Sequence, residues 1–124
     1  MADYPRISLA INIAGNNDER EQAFRLYERA FHAVKRWEAV PPDGNDSHVG
    51  MQINGFPIML GPGTRRNEEH IVTIELLFGQ ETELRRAYEV LIEEGRNYSI
   101  GSYPWAPVGA FVTDRYGVSW WLRT

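Results

Sequence analysis

The run His48-Val49-Gly50-Met51-Gln52-Ile53-Asn54-Gly55-Phe56-Pro57-Ile58-Met59-Leu60 decides the fold. Val49, Met51 and Ile53 alternate with His48, Gly50 and Gln52. Phe56, Ile58 and Leu60 alternate in the same way on the far side. A period of two is the mark of a strand with one apolar face. Asn54-Gly55 stands between the runs, and a type I′ turn needs φ > 0 at both of its central positions, which these residues tolerate. The stretch therefore predicts an antiparallel hairpin, with His48, Gly50 and Gln52 on the face away from the core.

Upstream, residues 7–14 alternate again. Ile7, Leu9, Ile11 and Ile13 fall on one face, and Ser8, Ala10, Asn12 and Ala14 on the other. Gly15-Asn16-Asn17 breaks this strand, and Asn17 or Asp18 can cap a helix. Phe24, Tyr27, Phe31 and Val34, with Ala23 and Ala30, keep helical spacing, which predicts that helix over about 18–32. Val34 to Val40 reads as a strand stopped by Pro41-Pro42-Asp43-Gly44. Downstream of the hairpin, Gly61 to Glu69 is polar and turn-rich and reads as a link between halves.

The second half repeats the order. Residues 71–78 form a strand with Val72, Ile74, Leu76 and Phe78 on one face, and Thr73 and Glu75 on the other. Leu84, Ala87, Tyr88 and Leu91 mark a helix over about 81–94, ended by Gly95 as the residue after the cap. Short strands come next at 98–102, 106–113 and 118–123, the last two joined by the turn Asp114-Arg115-Tyr116-Gly117. In that turn Asp bonds its own backbone two residues on and Gly takes φ > 0. The order is β-α-β-β-β, twice: an α+β fold of one domain over 1–124, with module 1 about 1–66 and module 2 about 67–124. A ferredoxin-like βαββαβ barrel would place two strands between the helices, not four.

Composition narrows the function. The 124 residues carry a net charge of −4 with acids and bases interspersed, so the basic footprint of a nucleic-acid binder is missing. No cysteine is present, which removes disulfides, thiolate metal sites and cysteine nucleophiles and suits a cytoplasmic setting. No basic-then-apolar leader opens the chain, and no apolar run approaches membrane-spanning length. Four Trp, six Tyr and five Phe are generous for this length, so some should line a cavity. No Ser-His-Asp arrangement, phosphate loop or metal-type histidine spacing occurs.

The run Gly109-Ala110-Phe111-Val112-Thr113-Asp114-Arg115-Tyr116-Gly117-Val118-Ser119-Trp120-Trp121-Leu122 resembles the closing hairpin of PhnB-like members of the vicinal oxygen chelate (glyoxalase/bleomycin-resistance/dioxygenase) superfamily. The His48–Leu60 hairpin and the helix end Leu26-Tyr27-Glu28-Arg29-Ala30-Phe31 are similar to that family too, so the likeness spans nearly the whole chain. It implies two βαβββ modules whose mixed sheets form a half-open barrel around a pocket, and a homodimer. Metal-dependent members carry a ligand on the first and last strand of each module. Strand parity carries those positions to Ser8, Met59, Thr73 and Trp121, none a good ligand for a divalent ion. A two-residue slip brings in Asn12 or Glu75 but not three ligands. The expectation is therefore no metal and no cofactor. Some PhnB-like chains bear a ubiquinone methyltransferase label, yet the Gly-rich turn of a dinucleotide- or methyl-donor site is here the single Gly15.

The expected function is metal-free binding of an unidentified small molecule in an aromatic pocket, without nucleic acid or membrane as partner. Met59, Trp105 and Trp121 would supply contact area, and Asn12, His48, Thr73, Glu75 and Arg123 would orient the ligand. The alternative is an enzyme of the same superfamily, holding a metal or using Glu75 as a general base. Glu75 paired with Arg123 or another base across the sheet is the plainer reading. His48 could equally bond backbone beside its turn, and His32 and His70 receive no chemistry. Tyr103, Pro104, Trp105 and Pro107 read as a stiff aromatic loop, either a pocket lid or a dimer seam.

Overall fold

The computed structural model of the chain describes residues 8–63, 73–104 and 106–124. The elements are β1 (Leu9–Ala14), α1 (Asn17–Phe31), β2 (Val34–Ala39), β3 (His48–Ile53), β4 (Phe56–Gly63), β5 (Ile74–Leu77), α2 (Glu81–Leu91), β6 (Arg96–Tyr103), β7 (Ala106–Thr113) and β8 (Ser119–Arg123). Four strands separate the helices, which rules out the ferredoxin-like order. The strands form two sheets, ordered β1-β4-β3-β2 and β5-β8-β7-β6. Each has one parallel pair, β1–β4 and β5–β8, and is otherwise antiparallel. No barrel closes, because no strand of one sheet pairs with the other among the described residues.

The alternation seen in the sequence sets what each face meets. Ile11, Ile13, Val49, Met51, Ile58 and Leu60 turn the first sheet's inner face toward α1. Val108, Ala110, Val112, Trp120 and Leu122 do the same for the second sheet. The helices pack on each other between these faces, and the buried residues form a single core. Each large side chain buried in it contributes roughly 1.5–3 kcal/mol of transfer free energy. Among the described residues no element packs on the opposite face of either sheet, the uncovered face.

Local chemistry explains where the elements begin and end. Asn16, not Asn17 or Asp18, caps α1, its side chain accepting from the Glu19 amide at 3.2 Å. Asn17 is used instead to hold Arg20, a guanidinium only 1% exposed. Arg20 donates to Asn17 Oδ1 at 2.7 Å, the Gly15 carbonyl at 3.0 Å and Ser47 Oγ at 3.3 Å, tying the start of α1 to the approach to β3. α1 stops at Phe31 because His32 takes a left-handed C-cap, φ 57°. Asn54 and Gly55 both have positive φ, 47° and 83°, as the type I′ turn requires.

α2 ends at Leu91, three residues earlier than its periodicity suggests, and the left-handed residue is Glu94 at φ 59° rather than Gly95. Gly95 serves another purpose. A Cβ there would sit 2.7 Å from the Leu91 carbonyl and 3.0 Å from that of Thr113, so only glycine lets the helix end meet β7. β6 runs longer than the expected 98–102, and β5 is described only over Ile74–Leu77, with residues 71–72 outside the described residues.

Several polar contacts join the halves, Arg29 with Glu93 and His32 with Glu83 among them, and two reach backbone carbonyls or a buried carboxylate. Arg86 of α2 donates Nη2 to the Ala30 carbonyl at 3.0 Å and Nη1 to the Arg29 carbonyl, so one helix caps the last turn of the other. Arg86→Ala is expected to lower stability by about 1 kcal/mol, and the melting temperature by roughly 3–5 °C, read by thermal denaturation. Arg86→Lys should recover little, since one ammonium lacks the fork that spans two carbonyls.

The second contact is Asp114, which is fully buried. Its Oδ2 accepts from Tyr27 Oη of α1 and from Trp120 Nε1 of β8, each at 2.8 Å. Its Oδ1 accepts from the amides of Tyr116 at 2.9 Å and Val118 at 3.1 Å. The turn role read from the sequence holds, and the same carboxylate also reaches across 87 residues to the first half. Burial pushes the carboxyl above its ordinary range, against the downward pull of its four donors. Burial, then the Asp114 charge, pushes the Tyr27 phenol well up.

Candidate functional site

The uncovered faces of the two sheets hold the candidates. On the first sheet, Ala10 stands opposite Met59 and Asn12 opposite Gly61. Met59 and His48 converge above Gly61, where an added Cβ would lie 3.2 Å from Met59 Sδ and 3.5 Å from His48 Cδ2. Gly50 stands opposite Met59 on one side and Trp37 on the other. Trp37 is 49% exposed. A Cβ on Gly50 would fall against three atoms of the pyrrole half of that indole, so the ring lies flat over the glycine. Gln52 continues this face and accepts from Arg36 Nε at 2.9 Å.

On the second sheet, Glu75 stands opposite Trp121 and Leu77 opposite Arg123. Arg123 Nε donates to Glu75 Oε1, the pairing that the plainer reading of Glu75 anticipates. The side chains are 52% exposed for Glu75 and 31% for Arg123, so the pair is a surface feature of modest strength. Trp121 meets Tyr103 at right angles, ring centroids 5.3 Å apart and planes at 79°. Both lean over Gly109, where an added Cβ would sit 2.5 Å from Trp121 and 2.9 Å from Tyr103. Phe111 stands opposite Trp121 on the same face. Trp120 points the other way, fully buried against Tyr27 and Phe31.

Asn12, His48 and Met59 are thus gathered on one sheet, and Glu75, Trp121 and Arg123 on the other. Thr73 is exposed just before β5. Trp105 lies outside the described residues, as does His70. The described part of the aromatic stretch expected as a loop is largely strand: β6 extends to Tyr103, which pairs with Ala106 at the start of β7, and Pro107 lies in β7. Tyr103 is therefore a strand residue of the uncovered face. Trp37 is a site residue that the alternation did not single out, and its signal was the cross-strand glycine at Gly50.

A cleft of about 520 Å³ opens between the β3–β4 turn, the end of α1, β5 and the start of α2. Phe31, Ile53, Phe56, Leu76 and Phe78 line it, with Glu75 at its margin. It meets the uncovered face of the second sheet through Glu75 and Leu77.

The metal positions of the fold do not fit an ion. Across the register they hold Ala10 or Ser8, Met59, Glu75 or Thr73, and Trp121, of which only Glu75 is a good ligand. Met59 Sδ is turned over Gly61, and Trp121 is engaged with Tyr103. Among the described residues no three His, Asp or Glu side chains gather.

Two β-α-β-β-β units, with helices inside and an uncovered sheet face on each, define the class: an α+β protein with paired modules. The chain has the vicinal oxygen chelate fold. It is similar to a PhnB protein from Bacillus cereus, provisionally described as a 3-demethylubiquinone-9 3-methyltransferase, at 20% identity and a TM-score of 0.81 over 96% of this chain and 98% of that one. It is similar to a glyoxylase/bleomycin resistance protein/dioxygenase domain from Frankia sp., at 11% identity and a TM-score of 0.68 over 99% and 97%. It is also similar to the E126Q mutant of the fosfomycin resistance protein FosX from Listeria monocytogenes, at 12% identity and a TM-score of 0.70 over 99% and 93%. That FosX structure holds Mn(II) and 1S,2S-dihydroxypropylphosphonic acid. No family model matches the chain, and no curated sequence matches it significantly. Among the described residues no helix is long and apolar enough to cross a membrane.

Proposed function

We propose that two copies of this chain pair, the Trp37 face of one against the Trp121 face of the other, to enclose a metal-free pocket for a flat, mostly apolar small molecule. The carrying observation is that each outer face holds an aromatic platform, half-exposed Trp37 on one and partly buried Trp121 and Tyr103 on the other, while both inner faces are consumed by one shared core. Exposed aromatic surface of this kind marks a binding face. In this reading residues 1–66 and 67–124 act as the two modules of one domain. Met59, Trp121 and the Trp105 segment give contact area, and Asn12, His48, Thr73, Glu75 and Arg123 orient the ligand. A cysteine-free chain of this kind fits work in the cytoplasm.

The enzyme alternative is less well supported. Glu75 is tied to Arg123, so a general base would first have to leave its partner. A metal site that holds an ion such as the Mn(II) of that FosX structure would need ligands that Met59 and Trp121 do not supply.

Elemental analysis of untagged protein, with melting curves in the presence and absence of a chelator and sedimentation equilibrium alongside, tests the proposal. The expected result is a dimer, no stoichiometric metal and an unchanged melting temperature. A bound metal at one per chain and a melting temperature that falls with chelator would contradict it and move the enzyme reading ahead.

A further inference from the structure

The proposed pocket rests on two glycines, and these say what shape of ligand it takes. Gly50 and Gly109 are both on the third strand of their module, β3 and β7, and both face the uncovered side. At each, aromatic side chains from neighbouring strands occupy the space a Cβ would fill. On Gly50 one indole lies flat, so its π-face is turned outward. On Gly109 the rings of Trp121 and Tyr103 meet at 79°, making a right-angled aromatic corner. The glycines let these rings sink to the level of the backbone. Any larger residue must lift them, because real Cβ contacts this short do not occur and an interior has no slack to absorb them.

From this we infer that Gly50 and Gly109 are positioning residues that set the depth of the pocket, and that the ligand class is a planar conjugated ring system rather than a puckered or aliphatic one. The inference depends on the paired-face pocket. A flat ring stacks its face on the Trp37 indole and meets the Trp121–Tyr103 corner with its edge, the two favoured geometries of aromatic pairs. A saturated ring of the same size is thicker and has no π-face, so it gains burial but neither contact. Gly→Ala pushes an indole into this space and removes the flat seat while keeping the pocket apolar.

The test compares naphthalene-2-carboxylate with its saturated counterpart, decahydronaphthalene-2-carboxylate, by calorimetric titration. The native protein is expected to prefer the flat ring about tenfold, the size of one or two aromatic pairings. Gly50→Ala and Gly109→Ala are expected to cut that preference to about twofold or less, mainly by weakening the flat ring. Gly79→Ala, at a glycine with open space around it and ordinary φ, should leave it unchanged. Melting curves check that each variant folds. If a glycine variant does not, Trp37→Leu and Trp121→Leu replace it and should abolish the preference. Equal binding of the two rings, or a preference untouched by the variants, overturns the inference while leaving a binding protein. Binding of neither ring overturns both the inference and the reading beneath it.

Discussion

Asp114→Asn is expected to destabilise the protein by about 3 kcal/mol and lower its melting temperature by roughly 10 °C. The carboxylate accepts four hydrogen bonds and is fully buried. An amide can place its oxygen toward Tyr27 and Trp120, and its NH₂ then faces the amides of Tyr116 and Val118. Turned the other way, its NH₂ faces the Trp120 indole N–H, which can only donate. Either orientation sets donor against donor in a site closed to water. Asp114→Ala should cost a similar amount, through unsatisfied donors instead. The loss should unlock both the β7–β8 turn and the seat of α1, since Tyr27 and Trp120 share one oxygen.

Acid should act on this residue in a direction opposite to that of a salt-bridged carboxylate. Burial raises the folded carboxyl above its ordinary value, so the folded state holds the proton more tightly than the unfolded chain does. The associated stability is fully present below the ordinary carboxylate value and is lost as pH rises through the raised one. The melting-temperature gap between the native protein and Asp114→Asn is therefore expected to widen as pH falls through the carboxylate range. A gap that narrows there would show the four donors outweighing burial.

The second large effect is on binding. Trp37→Ala and Trp121→Ala are each expected to weaken naphthalene-2-carboxylate binding about 30-fold, on the order of 2 kcal/mol, as removal of an aromatic anchor does. Trp37 lies half out in solvent, and Trp121 faces away from the core. Stability should therefore change little, in contrast to Asp114→Asn, and calorimetry with melting curves separates the two kinds of effect.

The contrast between these tryptophans shows what the sequence could convey. Trp121 sits in an alternating run with Trp120 and Leu122, so parity alone turns it outward, and the structure agrees. Trp37 sits in β2, where strict alternation would put Lys35 on the same face. A bulge between Lys35 and Trp37 breaks the parity. Lys35 swings inward to Glu21 at 2.7 Å and over the Phe24 ring, and Trp37 swings out over Gly50. A bulge is a property of the pair of strands, so a single strand's pattern does not announce it.

The same limit applies to the Asp114 and Arg86 joints between the halves. The Asp114 turn is local chemistry and legible. Its bond to Tyr27 depends on tertiary packing between distant segments. Arg86 looks like one more solvent-facing helix charge, and only the crossing of α1 and α2 brings it to the carbonyls of Arg29 and Ala30. Element order and the two faces of the strands without a bulge are periodic and could be read directly. Which faces meet depends on how the modules pack, and that lies outside any one period.

Mixing the two tryptophan variants tests the paired-face pocket most directly. Trp37→Ala retains a sound Trp121 face, and Trp121→Ala retains a sound Trp37 face. If each pocket takes one face from each copy, a mixed dimer has one fully native pocket and one doubly altered pocket. After the variants are combined and allowed to exchange, about a quarter of all sites are expected to bind naphthalene-2-carboxylate with native affinity, where neither variant alone does. No recovery on mixing, with the native protein still binding one ligand per chain, would contradict the account and move the site into a single chain, with the cleft beside Phe31 and Phe56 the place to look.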